Sequence, residues 1–372
     1  MPLIDARLEA LRRRAQREID EGVLPSCSLA VGLGGEVVWA ESFGDATTDT
    51  RYVMFSCTKA VVGATVWQLI GEGALSLADT VATHFPEFAA NGKESITVEQ
   101  VMTHTSGFPY APLAPDAWSD RAARIERMAS WRTNWEPGTA FEYHPTSAHW
   151  VLAELIERLD GRDFRTAIAA RICEPLGLQR LALGVPEADQ ADIAELVDVG
   201  SFPTPEELRE VFGVDTYDLG EVTPEALLML NRPELRAAGL PGGGGITNAT
   251  DLAAFYQALL HNPDGLWDPD VLAEGTGAVR NRFPDPVLGY PANRTAGLVV
   301  AGDDGLSFMR GMGRTVGPRA FGHNGAGGQI AWADPDTGLS FVYLTNGIDR
   351  HIIRESRRVT AIASLAGLLT TP

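Results

Sequence analysis

Ser56-Cys57-Thr58-Lys59 is the stretch of this chain whose residue types and spacing could do covalent chemistry. Positions i and i+3 share one face of a helix, which brings a lysine amine within reach of a serine hydroxyl. From Lys59 to Ile70 the residues are apolar on nearly every face, which predicts a helix buried in the protein centre. A lysine held there tends to lose its charge and can then act as a base toward the serine. The helix N-terminus adds backbone N–H groups and the positive end of a dipole, both suited to a developing oxyanion. Chance alone rarely supplies this pair. Of the 30 Lys and Arg residues only Lys59 and Lys93 are lysines, and with fifteen serines roughly 0.08 accidental Ser-x-x-Lys pairs are expected. Arginine does not deprotonate, so a lysine in this arginine-rich chain points to base chemistry.

Other candidate sites are weaker. His104, His144 and His149 fit no dense ligand spacing and read as loop or helix-surface histidines, so no metal is expected. The run from Gly242 to Gly245 lacks the Lys-Ser/Thr ending of a phosphate loop and reads as a close-packing turn. No Gly-x-Ser-x-Gly occurs, which excludes a nucleophile elbow. Tyr110, Trp131, Trp135 and Trp332 lie near the motif segments and either line an acyl pocket or pack in the core.

Four further segments carry a resemblance. They are Val101-Met102-Thr103-His104-Thr105-Ser106-Gly107, the stretch from Glu136-Pro137-Gly138-Thr139 to Phe141-Glu142-Tyr143, Gly243-Gly244 ahead of Asp251-Leu252, and Gly322-His323-Asn324-Gly325 followed by Ala326-Gly327-Gly328. Together with Ser-x-x-Lys they make the chain resemble the serine β-lactamase and penicillin-binding-protein superfamily. Within it, the pattern is most similar to class C β-lactamases and family VIII carboxylesterases. The resemblance implies an α/β (α+β) fold of the β-lactamase type and two-step acyl transfer with no cofactor. It implies Ser56 as nucleophile, with Lys59 and Tyr143 sharing the proton transfers. The backbone N–H groups of Ser56 and Ala326 would form the oxyanion hole. His323, Asn324 and Gly325 would contact substrate.

Two departures from that family bear on function. Penicillin-recognising members follow the catalytic tyrosine with an asparagine two residues on. Here the triplet is Tyr143-His144-Pro145, and proline offers neither a side-chain amide nor an N–H. His323 stands where lysine is common, so no fixed positive charge for a β-lactam carboxylate is expected at neutral pH. A carboxylesterase acting on small hydrophobic esters is therefore the expected function. The alternatives are a β-lactamase, DD-peptidase, amide hydrolase or acyltransferase on the same scaffold, and a catalytically silent binding protein. The complete Ser56, Lys59 and Tyr143 set speaks against silence.

The elements that position these residues follow from patterning. Helices are expected over 4–22, 59–70 and 251–260, over a stripe of Leu152, Leu155, Ile156 and Leu159 ending at Gly161, and over 349–369. Capping boxes at Thr97/Gln100 and Thr204/Glu207 mark two short helices. Strands are expected over 28–32 and 36–42, and as a hairpin over 328–333 and 339–345. The order predicts an antiparallel sheet built from both chain termini, flanked by terminal helices, with an inserted all-helical lobe. The chain reads as a single catalytic unit, with an α/β lobe of about 1–55 and 241–372 and a helical lobe of about 56–240. A net charge of −19 excludes nucleic acid and anionic membrane surfaces as partners and leaves a small molecule. Cys27, Cys57 and Cys173 form neither a disulfide framework nor a zinc pattern, and residues 1–22 lack a secretory apolar core, so a cytoplasmic setting is expected. Sequons at Asn248 and Asn293 read as chance matches.

Overall fold

A strand buried on both faces needs side chains that can leave water, and 26–33 supplies Cys27, Leu29, Ala30, Val31 and Leu33 with only two small hydroxyls, Ser26 and Ser28. The computed structural model describes residues 2–286 and 288–370. Residues 1, 287, 371 and 372 of the expected α/β lobe lie outside the described residues. Strands β1 (Ser26–Leu33), β2 (Glu36–Gly44), β3 (Val299–Val300), β4 (Phe321–Gly322), β5 (Ile330–Asp334) and β6 (Leu339–Thr345) form one antiparallel sheet. Its spatial order is β2-β1-β6-β5-β4-β3. The sheet thus joins the two ends of the chain, with Leu29 opposite Tyr343 and Ala30 opposite Val342.

The principal helices are α1 (Asp5–Asp20), α2 (Thr58–Gly71), α3 (Ser147–Asp160), α4 (Ala249–His261) and α5 (Ile352–Ala366). Side chains alternate across the sheet with period two. Leu29, Val31, Trp332, Phe341 and Tyr343 share one core with Leu11 and Ala15 of α1 and Ile362 and Ala363 of α5. Ala30, Ala331, Val342 and Leu344 join the other core, with Leu252 and Phe255 of α4 and the residues of α2. Helix α4 lies so close to β1 that a Cβ on Gly32 would come 2.5 Å from Gln257 Cγ. Glycine is required there by space, not by backbone angle.

Helix α2 is buried from Thr58 through Leu69, as its lack of a polar face predicts. Trp67 Nε1 donates to Ala296 O at 2.7 Å, and Trp267 Nε1 donates to Ala64 O at 2.8 Å. Both capping boxes form, and Gly161 ends α3 at φ +85. Elsewhere the boundaries move. The last helix begins at Ile352 rather than at residue 349, because Gly347–Asp349 pairs in parallel with Val197–Val199. Strand β5 begins at Ile330 rather than at residue 328, because Gly327 and Gly328 take φ +69 and +88. A three-stranded ribbon of Tyr52–Val53, Gly245–Thr247 and Ala182–Leu183 was not expected, and it fixes the chain on either side of the motif segments. Among the described residues no helix is long and apolar enough to cross a membrane.

One buried ion cluster ties the terminal helices together. Arg358 of α5 is 0 % exposed and reaches Asp349 Oδ2 at 3.1 Å and Glu18 Oε2 of α1 at 3.3 Å. Removing the cation leaves two buried carboxylates without it. Arg358→Met should therefore lower stability by about 3 kcal/mol, read as a fall in the urea midpoint against the unmodified protein.

Candidate active site

Ser56 lies on a 3-10 turn, Phe55–Cys57, immediately ahead of α2. Phe55 takes φ +43, a region that bulky side chains rarely occupy, so the nucleophile's turn is strained. The turn is fastened on both sides. Thr58 Oγ1 donates to Phe55 O at 2.5 Å and accepts the Gly245 N–H at 2.9 Å, while the Met54 N–H donates to Gly245 O at 2.9 Å.

Lys59 points back along α2 toward this turn and is 0 % exposed. Its Nζ lies 3.2 Å from Ser56 Oγ and donates to Pro145 O at 2.7 Å and to Gly242 O. The sequence had offered Pro145 only as a loss; its carbonyl is an anchor for the lysine. Gly242 is needed beside it, because a Cβ there would come 2.7 Å from Pro145 O and 3.5 Å from Lys59 Nζ. Burial, and after it the charge of Arg294, hold the Lys59 amine well below its ordinary value. A neutral amine has two hydrogens and one lone pair. The two carbonyls take the hydrogens, which leaves the lone pair for the serine proton.

Tyr143 completes the group, with Oη donating to Ser56 Oγ at 2.9 Å. Its loop is held from beneath by histidines. His104 Nδ1 accepts the His144 N–H, and His144 Nε2 accepts the Phe108 N–H, each at 3.1 Å. His144 Nδ1 then donates to Glu142 O at 2.7 Å, so this ring is a neutral tautomer. Burial pushes His144 down to about 3 and His104 well below its ordinary value. These two and His149 were expected on loop and helix surfaces. They are buried instead, because they carry the backbone bonds and ring packing under Tyr143.

The opposite side of the site is formed by the turn after β4. A Cβ on Gly325 would come 2.5 Å from Met54 O, so this turn abuts the nucleophile's turn closely. Among the described residues neither the Ser56 N–H nor the Ala326 N–H donates to a protein acceptor. Ser56, Tyr143, His323, Asn324, Gly325 and Ala326 all line one cavity of about 410 Å³. Its apolar walls come from Phe141, Leu219, Val222, Met309 and Ile348. Tyr110, Trp131, Trp135 and Trp332 are not among its lining residues. Trp131 and Trp332 are core residues, the first donating to Pro112 O at 2.9 Å.

The expectation of a site without a fixed positive charge is overturned by Arg294. Its guanidinium lies over the Tyr143 ring, 4.9 Å from the centroid, and its Nη1 lies 3.4 Å from His323 Nε2. His323 Nδ1 bonds Asn324 O at 2.8 Å. Burial first, then Arg294 and Lys59, hold this imidazole neutral. Arg294 had been seen only as the middle of the sequon at Asn293. It carries no local signature, since backbone pairing with Asn281 and Val299 brings it to the site. Asn293 and Thr295 are themselves buried.

A family model described as Beta-lactamase matches residues 11–361. The chain belongs to the beta-lactamase family. Its fold, an antiparallel sheet with both terminal helices packed on one face and the inserted helices on the other, is the β-lactamase-like fold. Among relatives, Esterase/beta-lactamase LipL of Mycobacterium tuberculosis is 28% identical over 343 residues, covering 86% of this chain and 76% of that protein. Esterase EstB of Burkholderia gladioli is 27% identical over 377 residues, covering 92% of this chain and 90% of its own. A penicillin-binding-protein homolog from Caulobacter crescentus superposes with a TM-score of 0.78 at 29% identity, covering 98% of this chain and 99% of that one.

The electrostatics give a signed expectation. Lys59 must be unprotonated to take the serine proton, so labelling of Ser56 by a fluorophosphonate should quicken as pH rises through the lysine's pKa. Arg294 lowers that pKa by its charge. Arg294→Gln should therefore raise it and move the rising limb to higher pH, measured as labelling rate against pH. A limb that stays in place or moves to lower pH would exclude this coupling.

Proposed function

We propose that this protein is a serine carboxylesterase that cleaves small hydrophobic esters through an acyl-enzyme on Ser56. The observation that carries the reading is the bracketing of Ser56 Oγ by Lys59 Nζ at 3.2 Å and Tyr143 Oη at 2.9 Å. The Lys59 amine takes the hydroxyl proton as Oγ attacks the ester carbonyl. The carbonyl oxygen becomes an oxyanion facing the Ser56 and Ala326 N–H groups. Tyr143, whose phenol burial pushes up to about 12, stays protonated and hands a proton to the departing alkoxide. Lys59 restores that proton to the tyrosine, which leaves the acyl group on Ser56. Water then adds to the acyl carbonyl, giving its proton to the same pair of groups, and the C–Oγ bond breaks to release the acid.

Esters are favoured over amides because Pro145 presents no side-chain amide and its carbonyl is occupied by Lys59. An ester also has the better leaving group. The apolar walls suit a hydrophobic acyl or alcohol part. LipL and EstB, both named as esterases, point the same way. Three free, buried cysteines accord with a cytoplasmic setting. A second reading, β-lactam or amide hydrolysis, draws on Arg294, which supplies a cation where His323 does not.

Lys59→Arg keeps the charge and removes the base. It should lose at least about a hundredfold in kcat on p-nitrophenyl butyrate while the protein stays folded by circular dichroism. Near-normal turnover would show that Lys59 acts only as a charge.

The two readings separate on substrate. For the unmodified enzyme, kcat/KM on p-nitrophenyl butyrate should exceed that on a chromogenic cephalosporin by at least about a hundredfold, roughly 3 kcal/mol. Comparable values, or a faster cephalosporin, would replace the esterase reading with the second one.

A further inference from the structure

The cleft does not end at the nucleophile. Beside the cavity of about 410 Å³ that Ser56 lines is a second space of about 740 Å³. Tyr217, Tyr290, Met309, Asn324, Ile352 and Glu355 line both, so the two are continuous. The second space is rich in rings. Phe212 stacks near Tyr217, with centroids 5.9 Å apart, and Phe308 lines the same wall region. Two of the rings already carry a guanidinium, Arg314 lying 3.6 Å over Phe308 and Arg310 lying 5.8 Å over Tyr290. Ring faces seat cations through their quadrupole. Among the described residues no cation lies over Phe212 or Tyr217.

Glu355 of α5 stands where the two spaces join. Its stem passes the turn after β4, since a Cβ on Gly328 would come 3.6 Å from Glu355 Cγ. Among the described residues its carboxylate accepts no hydrogen bond and makes no ion pair. Arg358 and Asp349 act on it by charge alone, and Arg358 is bonded to Asp349 and Glu18 instead. Tyr217, across the cleft, feels the charge of Glu355 in turn. Arg350 lines the first cavity but is tied to Asp198 at 2.7 Å and Glu225 at 2.8 Å. A half-buried carboxylate without a partner is costly to keep, and burial pushes it up to about 7. One such carboxylate among aromatic faces suits a substituted ammonium, which is large, weakly hydrated and positive. Ser56 lines the same cavity, so one molecule can reach both groups.

We propose that Glu355 and the rings of the second space form an ammonium subsite, and that the preferred substrates are esters whose acyl or alcohol part carries an amine or quaternary ammonium. This rests on the esterase reading and narrows its substrate class.

The test compares matched esters with a fixed charge. On the alcohol side the pair is butyrylcholine against 3,3-dimethylbutyl butyrate. On the acyl side it is p-nitrophenyl 6-(trimethylammonio)hexanoate against p-nitrophenyl 7,7-dimethyloctanoate. Each kcat/KM is divided by that ester's rate constant with hydroxide, which removes its intrinsic reactivity. At pH 8, in at least one pair, the cation should then exceed its neutral partner by about tenfold or more. Glu355→Gln should bring that ratio close to one, and Tyr217→Leu should lower it in part. The wild-type ratio should also rise between pH 6 and pH 8, as Glu355 ionises, and stay flat in Glu355→Gln. Over that range Asp349 and Arg358 stay charged, and the Tyr217 phenol, pushed up by burial, stays neutral. His351, one turn earlier, faces Glu207 at 3.5 Å and lines neither space. The quaternary ammonium does not titrate, and the proton transfers at Lys59 are common to both members of a pair.

A wild-type ratio of one or less in both pairs would overturn the proposal, as would a preference that survives Glu355→Gln. An equal loss on both members of a pair would also overturn it, by showing that Glu355 acts on the reaction and not on the cation. Failure of the esterase reading looks different: the wild-type enzyme would leave every ester untouched. In that event, protection of Ser56 from fluorophosphonate labelling by choline still decides the subsite. Protection by choline should exceed that by 3,3-dimethylbutanol and disappear in Glu355→Gln. Equal protection would rule the subsite out.

Discussion

The amine of Lys59 is buried among backbone carbonyls and one hydroxyl, and among the described residues no carboxylate pairs it. An ammonium in that place would carry an uncompensated charge in the protein centre, so the surroundings favour the neutral base. Much of the architecture serves this one condition. Helix α2 must be apolar on every side to keep water from the amine. The residue at 242 must be glycine so that two carbonyls can converge on it. Pro145 must offer its carbonyl inward, which its missing N–H makes easier, since no donor is left unsatisfied there.

The same condition sets how the loops converge. Ser56 and Lys59 arrive together on one helical turn, but Tyr143 comes from a segment with no regular structure. That segment holds its position through His104 and His144, which pass backbone hydrogen bonds from one loop to the next. Imidazoles can do this only as neutral rings with one donor and one acceptor nitrogen, and burial keeps them so. Strain is concentrated beside the same groups. His104 takes φ +60 and Phe55 takes φ +43, one under the tyrosine and one beside the serine. Packing on all sides holds both backbones in place.

What could be read from the chain beforehand follows the range of the forces involved. The Ser56–Lys59 pair is a four-residue, helix-face relation, and the capping boxes at Thr97 and Thr204 are equally local. These were legible because each depends on residues a turn apart. Strands β1, β2 and β6 were legible because burial imposes a repeating pattern on them. Strands of two or three residues, such as Tyr52–Val53 and Gly347–Asp349, have no pattern long enough to show. They exist because a distant partner offers its edge. Tyr143 became visible only through resemblance to a family. Arg294 did not become visible at all, since a lone arginine in an irregular stretch reads as surface. For the aromatic residues the sequence left two readings open, an acyl pocket or the core. Trp131 and Trp332 lie near the motifs in sequence, yet their side chains turn into cores on other faces.

Arg294 and His323 are best understood as one arrangement. A lysine at position 323 would put two cations within a few ångströms of each other in a partly buried cleft. Each would then weaken the other's hold on its charge, and both would act on Lys59. With histidine there, burial and the adjacent guanidinium remove the second charge, and the ring still accepts from Arg294 and bonds Asn324 O. The single remaining cation lies over the face of Tyr143, where it favours the phenolate and disfavours the ammonium of Lys59. Both effects ease loss of a proton, from the phenol and from the ammonium alike. The exchange of lysine for histidine is therefore no simple loss of charge. It moves the fixed charge from the turn after β4 to the face of the tyrosine ring, 4.9 Å from its centroid.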